Sequence, residues 1–263
     1  MNDMQHAHAG DSDAGAPTEP RRTAVITGGA GGIGIEVVRH FTLRGFRTHV
    51  FDNAPGTSAA LAEQLGSSAE STTAHVVDII DRAQVDAAVA DIVHCDGRID
   101  ILVNLAGVFR SATLQNVTDS DLDAVLGSHV KGTLNTMRAI APSMCRAKYG
   151  RIVNTSSIVV RGSFGGTAYS AAKGGIEAMT RSIAIELAPQ GITANCVAPG
   201  YIDAGMLTKM PADFTNRVST AVPVGRPGTA TEIASCIGFL ASPEASYVTG
   251  QVLTVCGGAT LLG

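Results

Sequence analysis

Tyr169 and Lys173 stand four residues apart in Gly165-Gly166-Thr167-Ala168-Tyr169-Ser170-Ala171-Ala172-Lys173-Gly174-Gly175, a segment that leads into a long helical-period stretch. In a helix that spacing puts both side chains on one face. A phenol has an unperturbed pKa near ~10 and is a poor base at neutral pH. An ammonium beside it favours phenolate, and the pair then becomes able to exchange a proton with an alcohol or carbonyl oxygen. The spacing alone equally fits an ordinary surface pair, so its weight depends on what the chain places around it.

Two further groups of residues bear on that. The run Thr27-Gly28-Gly29-Ala30-Gly31-Gly32-Ile33-Gly34 follows a β-branched segment and precedes helical periodicity. Glycines allow a sharp turn and close backbone approach to a diphosphate, whose charge the helix N-terminus then meets with N–H groups. The strand–loop–helix context separates this run from a common glycine turn. Eighteen residues beyond Gly34, the next strand ends at Asp52. A carboxylate there accepts hydrogen bonds from adenosine ribose hydroxyls and repels a 2′-phosphate. Asn53, not an arginine, follows it, so NAD is expected over NADP; a plain strand-end cap is the alternative reading of Asp52.

Seven short β-branched runs must carry these loops: Thr23–Thr27, Thr48–Phe51, Ala74–Val77, Ile101–Val103, Arg151–Thr155, Thr193–Val197 and Gln251–Val255. Between them, apolar residues recur at helical spacing over Ile33–Leu43, Gln84–His94, Leu122–Cys145, Ile176–Leu187 and Glu232–Leu240. Strands alternating with helices imply right-handed crossovers and a doubly wound, Rossmann-type α/β fold with a mostly parallel seven-stranded sheet, in one domain over residues 21–263. Residues 1–20 are rich in Gly, Ala, Asp and His and read as a disordered tail without a secretory signal. The less regular stretch 203–222 reads as a flap over a pocket.

Only 16% of the residues are charged and mean hydropathy is +0.20, which suits a sheet covered on both faces and surface buried in an oligomer. A net charge of −4 without a basic run argues against nucleic acid, and no apolar stretch approaches the ~20 residues of a membrane span. Five scattered cysteines without ligand spacing point to reduced thiols in the cytoplasm and to no metal site.

With the tyrosine–lysine pair and the glycine loop in place, Thr23–Gly258 closely resembles the short-chain dehydrogenase/reductase family. Further matches are Asp78, Asn104-Leu105-Ala106-Gly107, Asn154-Thr155-Ser156-Ser157, Asn195-Cys196-Val197-Ala198-Pro199-Gly200 and Gly225-Arg226-Pro227-Gly228. The resemblance implies that Gly28, Gly31, Gly32, Ile33 and Gly34 line the pyrophosphate, and that Asp52 and Asn53 meet the adenosine ribose. It puts Asp78 and Ile79 at adenine and Asn104, Ala106 and Gly107 beside the cofactor. Pro199, Gly200 and Ile202 would hold the carboxamide. Tyr169 would be the general acid/base, Lys173 its electrostatic partner and ribose ligand, and Ser157 the holder of the substrate oxygen. It also implies a homotetramer formed through Asp119–Arg146 and Tyr169–Pro189.

Several positions depart from the family pattern. His129 replaces an asparagine that anchors a water chain to the lysine; a relay, a helix kink and a backbone-bonded core histidine are the readings open to it. Leu105 replaces a second asparagine, Ala204 a carboxamide-binding threonine, and Cys256 an aspartate. Ser157 lies one residue nearer Tyr169 than usual, which by spacing alone would select Ser156; the pattern counted from Asn154 selects Ser157. The function expected is hydride transfer between NAD(H) and a secondary alcohol or ketone. The rivals are a 3-oxoacyl-carrier-protein or acyl-CoA ketoreductase and a catalytically silent NAD sensor. Arg110 and Arg161 fit contacts to a carboxylate, phosphate or thioester carrier, or plain surface roles.

Overall fold

The computed structural model describes residues 21–205, 220 and 222–261. Most of the stretch read as a flap, and the tail over 1–20, lie outside the described residues. In chain order the elements are β1 (Thr23–Thr27), α1 (Gly32–Thr42), β2 (Arg47–Asp52), α2 (Thr57–Leu65), β3 (Thr72–Val76), α3 (Arg82–Asp96) and β4 (Ile101–Asn104). They continue through α4 (Asp119–Leu126), α5 (Gly132–Ala147), β5 (Gly150–Thr155), α6 (Thr167–Leu187), β6 (Ile192–Pro199), α7 (Ala230–Leu240) and β7 (Val252–Val255).

All six strand pairings are parallel, in the order β3-β2-β1-β4-β5-β6-β7. The inner strands are apolar without alternation because both faces are covered: every residue of β1, β4 and β6 is buried. One apolar layer packs Val37, Val38 and Phe41 of α1 and Ile233 and Ile237 of α7 on the sheet. The opposite layer packs Val85 and Ile92 of α3, Ile140 and Met144 of α5 and Ala184 of α6. Side-chain caps start several helices: Asp81 accepts from two backbone N–H groups of α3, and Thr118 with Asp121, and Thr229 with Glu232, form capping boxes at α4 and α7.

All seven expected strands form. Helix α2 was not expected; its apolar set is short, with only Thr57, Leu61 and Leu65 buried. The continuous helix expected over Leu122–Cys145 is interrupted by a π-helical turn at Gly127–Lys131, where Ser128 donates its hydroxyl to Ala124 O at 2.9 Å. Such wide turns re-aim side chains, and this one carries His129. Strand order reverses between β1 and β4, so the loops leaving their carboxyl ends border the crevice outside the strand ends, the position where doubly wound sheets bind ligands.

Candidate active site

The glycine loop and the β4 loop meet at that crevice. Gly28 has φ +66°, donates its N–H to Phe51 O at 2.8 Å, and lies so near the β4 loop that a Cβ would meet Ala106 backbone atoms at 2.9 Å. A Cβ on Gly34 would collide with Gly28 O, and one on Gly32 would meet Gly205 N at 2.6 Å. Gly31 is the N-cap of α1 and brings no side-chain cap, and Ile33 follows in the first turn. A cradle of glycines at an uncapped helix N-terminus fits a diphosphate. Asp52 ends β2, its Oδ1 accepting from Ala54 N at 3.1 Å, with exposed Asn53 beside it.

The remaining positions divide between cleft and support. Asp78 takes Ile80 N on Oδ1 at 2.9 Å, while Ile79 buries its side chain against Gly132 and gives its carbonyl to Asn135 at 2.9 Å. Asn104 is turned inward. Its amide donates to Asn154 Oδ1 at 2.8 Å and its Oδ1 accepts from Thr136 at 2.8 Å; Asn154 in turn donates to Thr180 at 2.9 Å. This buried chain ties α5, β4, β5 and α6 together beneath the crevice. Pro199 closes β6, Gly200 donates to Val255 O at 2.9 Å, and a Cβ on Gly200 would meet Cys256 at 2.8 Å. Ile202 is buried and forms an isolated bridge with Gly228. Ala204 lies near Gly32, so the segment after β6 passes over the diphosphate cradle.

Tyr169 and Lys173 occupy the first turns of α6. Lys173 is buried and donates to Thr155 O at 2.7 Å, with Nζ 5.4 Å from the centre of the Tyr169 ring. The two serines face different ways. Ser156 is buried and donates to Glu177 at 2.7 Å, whereas Ser157 is half-buried, its hydroxyl engaged by Val159 N at 3.4 Å. Burial pushes the Tyr169 phenol up to about 12 and the Lys173 ammonium down to about 7. The phenol's direction is opposite to the one argued from the ammonium's proximity, because Lys173 bonds the Thr155 carbonyl rather than the phenol and desolvation dominates.

His129 contacts Tyr169 edge to face, with ring centres 5.2 Å apart. Its Nε2 lies 2.9 Å from Val108 O, and because a carbonyl only accepts, Nε2 carries the proton. Burial first, and the Lys173 charge second, pull its pKa down to about 3 against the carbonyl bond that favours the cation. The imidazole is therefore neutral, with buried Nδ1 as an acceptor that no group among the described residues meets. A histidine so placed can receive a hydrogen bond but does not carry a proton as imidazolium near neutral pH.

Gly107 is explained by the same ring, since a Cβ on it would overlap the edge of the His129 imidazole at Cε1 and Nδ1. Gly107→Ala is expected to lower stability by about 1–3 kcal/mol through overpacking. In thermal unfolding, the added cost of Gly107→Ala should shrink in a His129→Ala background; equal costs in both backgrounds would show that the two residues are uncoupled.

The family model described as enoyl-(acyl carrier protein) reductase matches residues 28–260. The chain belongs to the short-chain dehydrogenase/reductase family. Among its relatives, (2S)-[(R)-hydroxy(phenyl)methyl]succinyl-CoA dehydrogenase subunit BbsD of Thauera aromatica is 38% identical over 91% of this chain and 97% of that protein. The 3-oxoacyl-[acyl-carrier-protein] reductase FabG of Thermotoga maritima is 37% identical over 91% and 98% of the two chains. A solved structure of ElxO with NADP bound superposes with a TM-score of 0.87 at 29% identity, covering 91% of this chain and 98% of that one. This short-chain dehydrogenase/reductase is thus an oxidoreductase that uses a nicotinamide dinucleotide and moves hydride between it and an alcohol or ketone carbon.

The sequence puts Phe109 in an expected pocket stretch, Val108–Ala112, but does not show its contact with Tyr169 or the Thr136–Asn104–Asn154–Thr180 chain. Asparagines closing two neighbouring strands were a visible signal for the chain; nothing local marked the ring contact. Among the described residues, no cluster of three or more His, Cys, Asp or Glu groups is arranged to hold a metal ion, and no helix is long and apolar enough to cross a membrane.

Proposed function

We propose that the protein is an NAD-dependent dehydrogenase of a secondary alcohol, or reductase of the matching ketone. The observation that carries the cofactor choice is Asp52 at the end of β2: a carboxylate suited to a ribose diol, followed in the chain by Asn53 rather than an arginine that would meet a 2′-phosphate. When bound, the nicotinamide supplies the hydride donor or acceptor. Gly28, Gly31, Gly32, Ile33 and Gly34 would hold the diphosphate; Asp78 and Ile79 would border adenine; and Ala106 and Gly107, steadied by Asn104, would border the nucleoside. Pro199, Gly200 and Ile202 would face the carboxamide.

Ser157 donates to the substrate oxygen and fixes it near the Tyr169 phenol. During reduction the phenol gives its proton to that oxygen as negative charge develops there; during oxidation it takes the alcohol proton. Lys173, with Nζ 5.4 Å from the centre of the phenol ring, is the group placed to favour phenolate against the upward push of burial. His129 offers Nδ1 as an acceptor to a water or hydroxyl between itself and Lys173.

Steady-state kinetics with both cofactors over a panel of alcohols and ketones test this reading. We expect kcat/KM to favour NAD(H), and Asp52→Ala combined with Asn53→Arg to reverse the preference. A wild type that prefers NADP(H), the form bound in the ElxO structure, overturns the cofactor assignment.

A second reading is favoured by the relatives named for carrier-protein and CoA substrates: an acyl-thioester ketoreductase. Exposed Arg110 and Arg161 would then meet carrier phosphates. Including 3-oxoacyl thioesters in the panel separates the two. On α6, Ile185 is 78% exposed and supports assembly as a homotetramer, and the five free cysteines support a reducing, cytoplasmic location.

A further inference from the structure

We infer that Phe109 is a positioning residue for Tyr169 and the apolar wall that sets substrate preference at the reacting position. The inference rests on the reading of Tyr169 as the acid/base. Its basis is a clamp of rings. Tyr169 meets Phe109 edge to face at 5.2 Å and 79° on one contact, and His129 at 5.2 Å and 81° on another, while the Lys173 ammonium lies 5.4 Å from its centre. Two perpendicular ring contacts let the Tyr169 ring flip about its own axis, which leaves the phenol oxygen where it was, while opposing a swing of the side chain.

The clamp is anchored from behind. Val108, the residue before Phe109, is fixed through both backbone groups by the π-helical turn: its N–H donates to Ser128 Oγ at 3.2 Å and its carbonyl accepts from His129 Nε2 at 2.9 Å. Ser128 and His129 are buried. One wide turn therefore supplies one jaw directly and positions the other through a single residue of the β4 loop. This gives the interruption of the α4–α5 helix a geometric purpose.

Phe109 differs from the inner jaw in being 39% exposed while touching the phenol ring. An aromatic side chain open to solvent and in contact with the proton-transfer group borders the space a substrate must enter. It brings apolar surface and no hydrogen-bonding group, so it favours an alkyl or aryl substituent on the reacting carbon without competing for the phenol proton.

Misplacement of a reacting group by about 1 Å can cost on the order of 10²-fold in rate. Phe109→Ala is therefore expected to lower kcat by roughly 10- to 100-fold and to displace the pH profile of kcat, with the NADH dissociation constant and the melting temperature close to wild type. Phe109→Tyr, which keeps the edge-to-face contact, should recover most of the loss. Phe109→Leu, which keeps apolar bulk without the ring, should hold KM for an aliphatic ketone while leaving kcat low. The ratio of kcat/KM for phenyl ketones over small polar ketones should fall in Phe109→Ala.

Wild-type kcat and pH profile in both Phe109→Ala and Phe109→Leu would overturn the inference. Tyr169→Phe, run alongside, separates the failures. If it abolishes turnover while both Phe109 variants stay at wild-type rates, only the clamp is wrong. If it too retains turnover, the assignment of Tyr169 is wrong and the clamp loses its object.

Discussion

Tyr169→Phe is expected to lower kcat by about 10³-fold while leaving NADH affinity within a factor of two or three, because it deletes one oxygen and keeps the ring. General acid/base groups contribute about 10²- to 10⁴-fold, and the upper half of that range applies where no neighbour can substitute. The surroundings of the phenol argue that none can. His129 is neutral and its one N–H is committed to Val108 O; Lys173 is bonded to Thr155 O behind the ring; Phe109 has no proton to give. The ring contacts of the clamp do not involve the hydroxyl, so the fold should be indifferent to the change. Stopped-flow turnover with fluorescence titration of NADH checks both halves. A variant that binds NADH and turns over within tenfold of wild type would mean that another group supplies the proton. The same measurement addresses the sensor reading: a wild type that binds NADH yet turns over nothing in a broad panel favours sensing over catalysis.

The architecture was readable because it rests on periodicity. Strand residues buried on both faces produce unbroken β-branched runs, and right-handed crossovers between them leave few parallel orders, of which the Rossmann-type order is the one found. Helix α2 escaped because three buried positions in nine residues give little pattern. The interruption at Gly127–Lys131 escaped for a different reason: a π-helical turn preserves apolar spacing on either side and differs only in how residues between are rotated.

At the site, the same division holds between backbone logic and side-chain geometry. Glycine positions in the 28–34 loop were legible because they mark where a Cβ cannot go. Gly107 had no such reading until His129 was found to occupy the space beside it. Between Ser156 and Ser157, spacing does not report that the hydroxyl of Ser156 is taken up by Glu177, 21 residues on in the middle of α6. The direction of the phenol pKa was the weakest inference available to sequence, since it balances a neighbour's charge against burial, and sequence spacing reports only the neighbour.

Lys173→Met should make the protein both inactive and more stable. Loss of an electrostatic group acting on developing charge costs about 10²- to 10³-fold in kcat. The stability gain follows from burial. Displacing the lysine from its ordinary 10.5 to about 7 is worth roughly 5 kcal/mol against the charged form in the fold. The charge-assisted bond to Thr155 O returns part of its own desolvation and disappears in the variant, and methionine fills similar volume. A net gain of about 2 kcal/mol, or roughly 5 °C in melting temperature, is expected at pH 7. Its pH dependence identifies the cause. Below about pH 7 the lysine is charged in both states and the burial penalty is whole. Between pH 7 and about 10 the unfolded chain holds a proton that the folded one has shed, so wild-type stability rises with pH relative to the variant. The variant's advantage should therefore be largest at or below neutrality and vanish near pH 10. A melting-temperature difference that is flat from pH 6 to 10 would place the gain in packing, and a variant less stable than wild type at pH 7 would mean that the ammonium is better compensated than its hydrogen bond to Thr155 O indicates. The opposed signs of activity and stability are what a site built around a buried cation requires, since the feature that presses on the phenol is the one the fold resists.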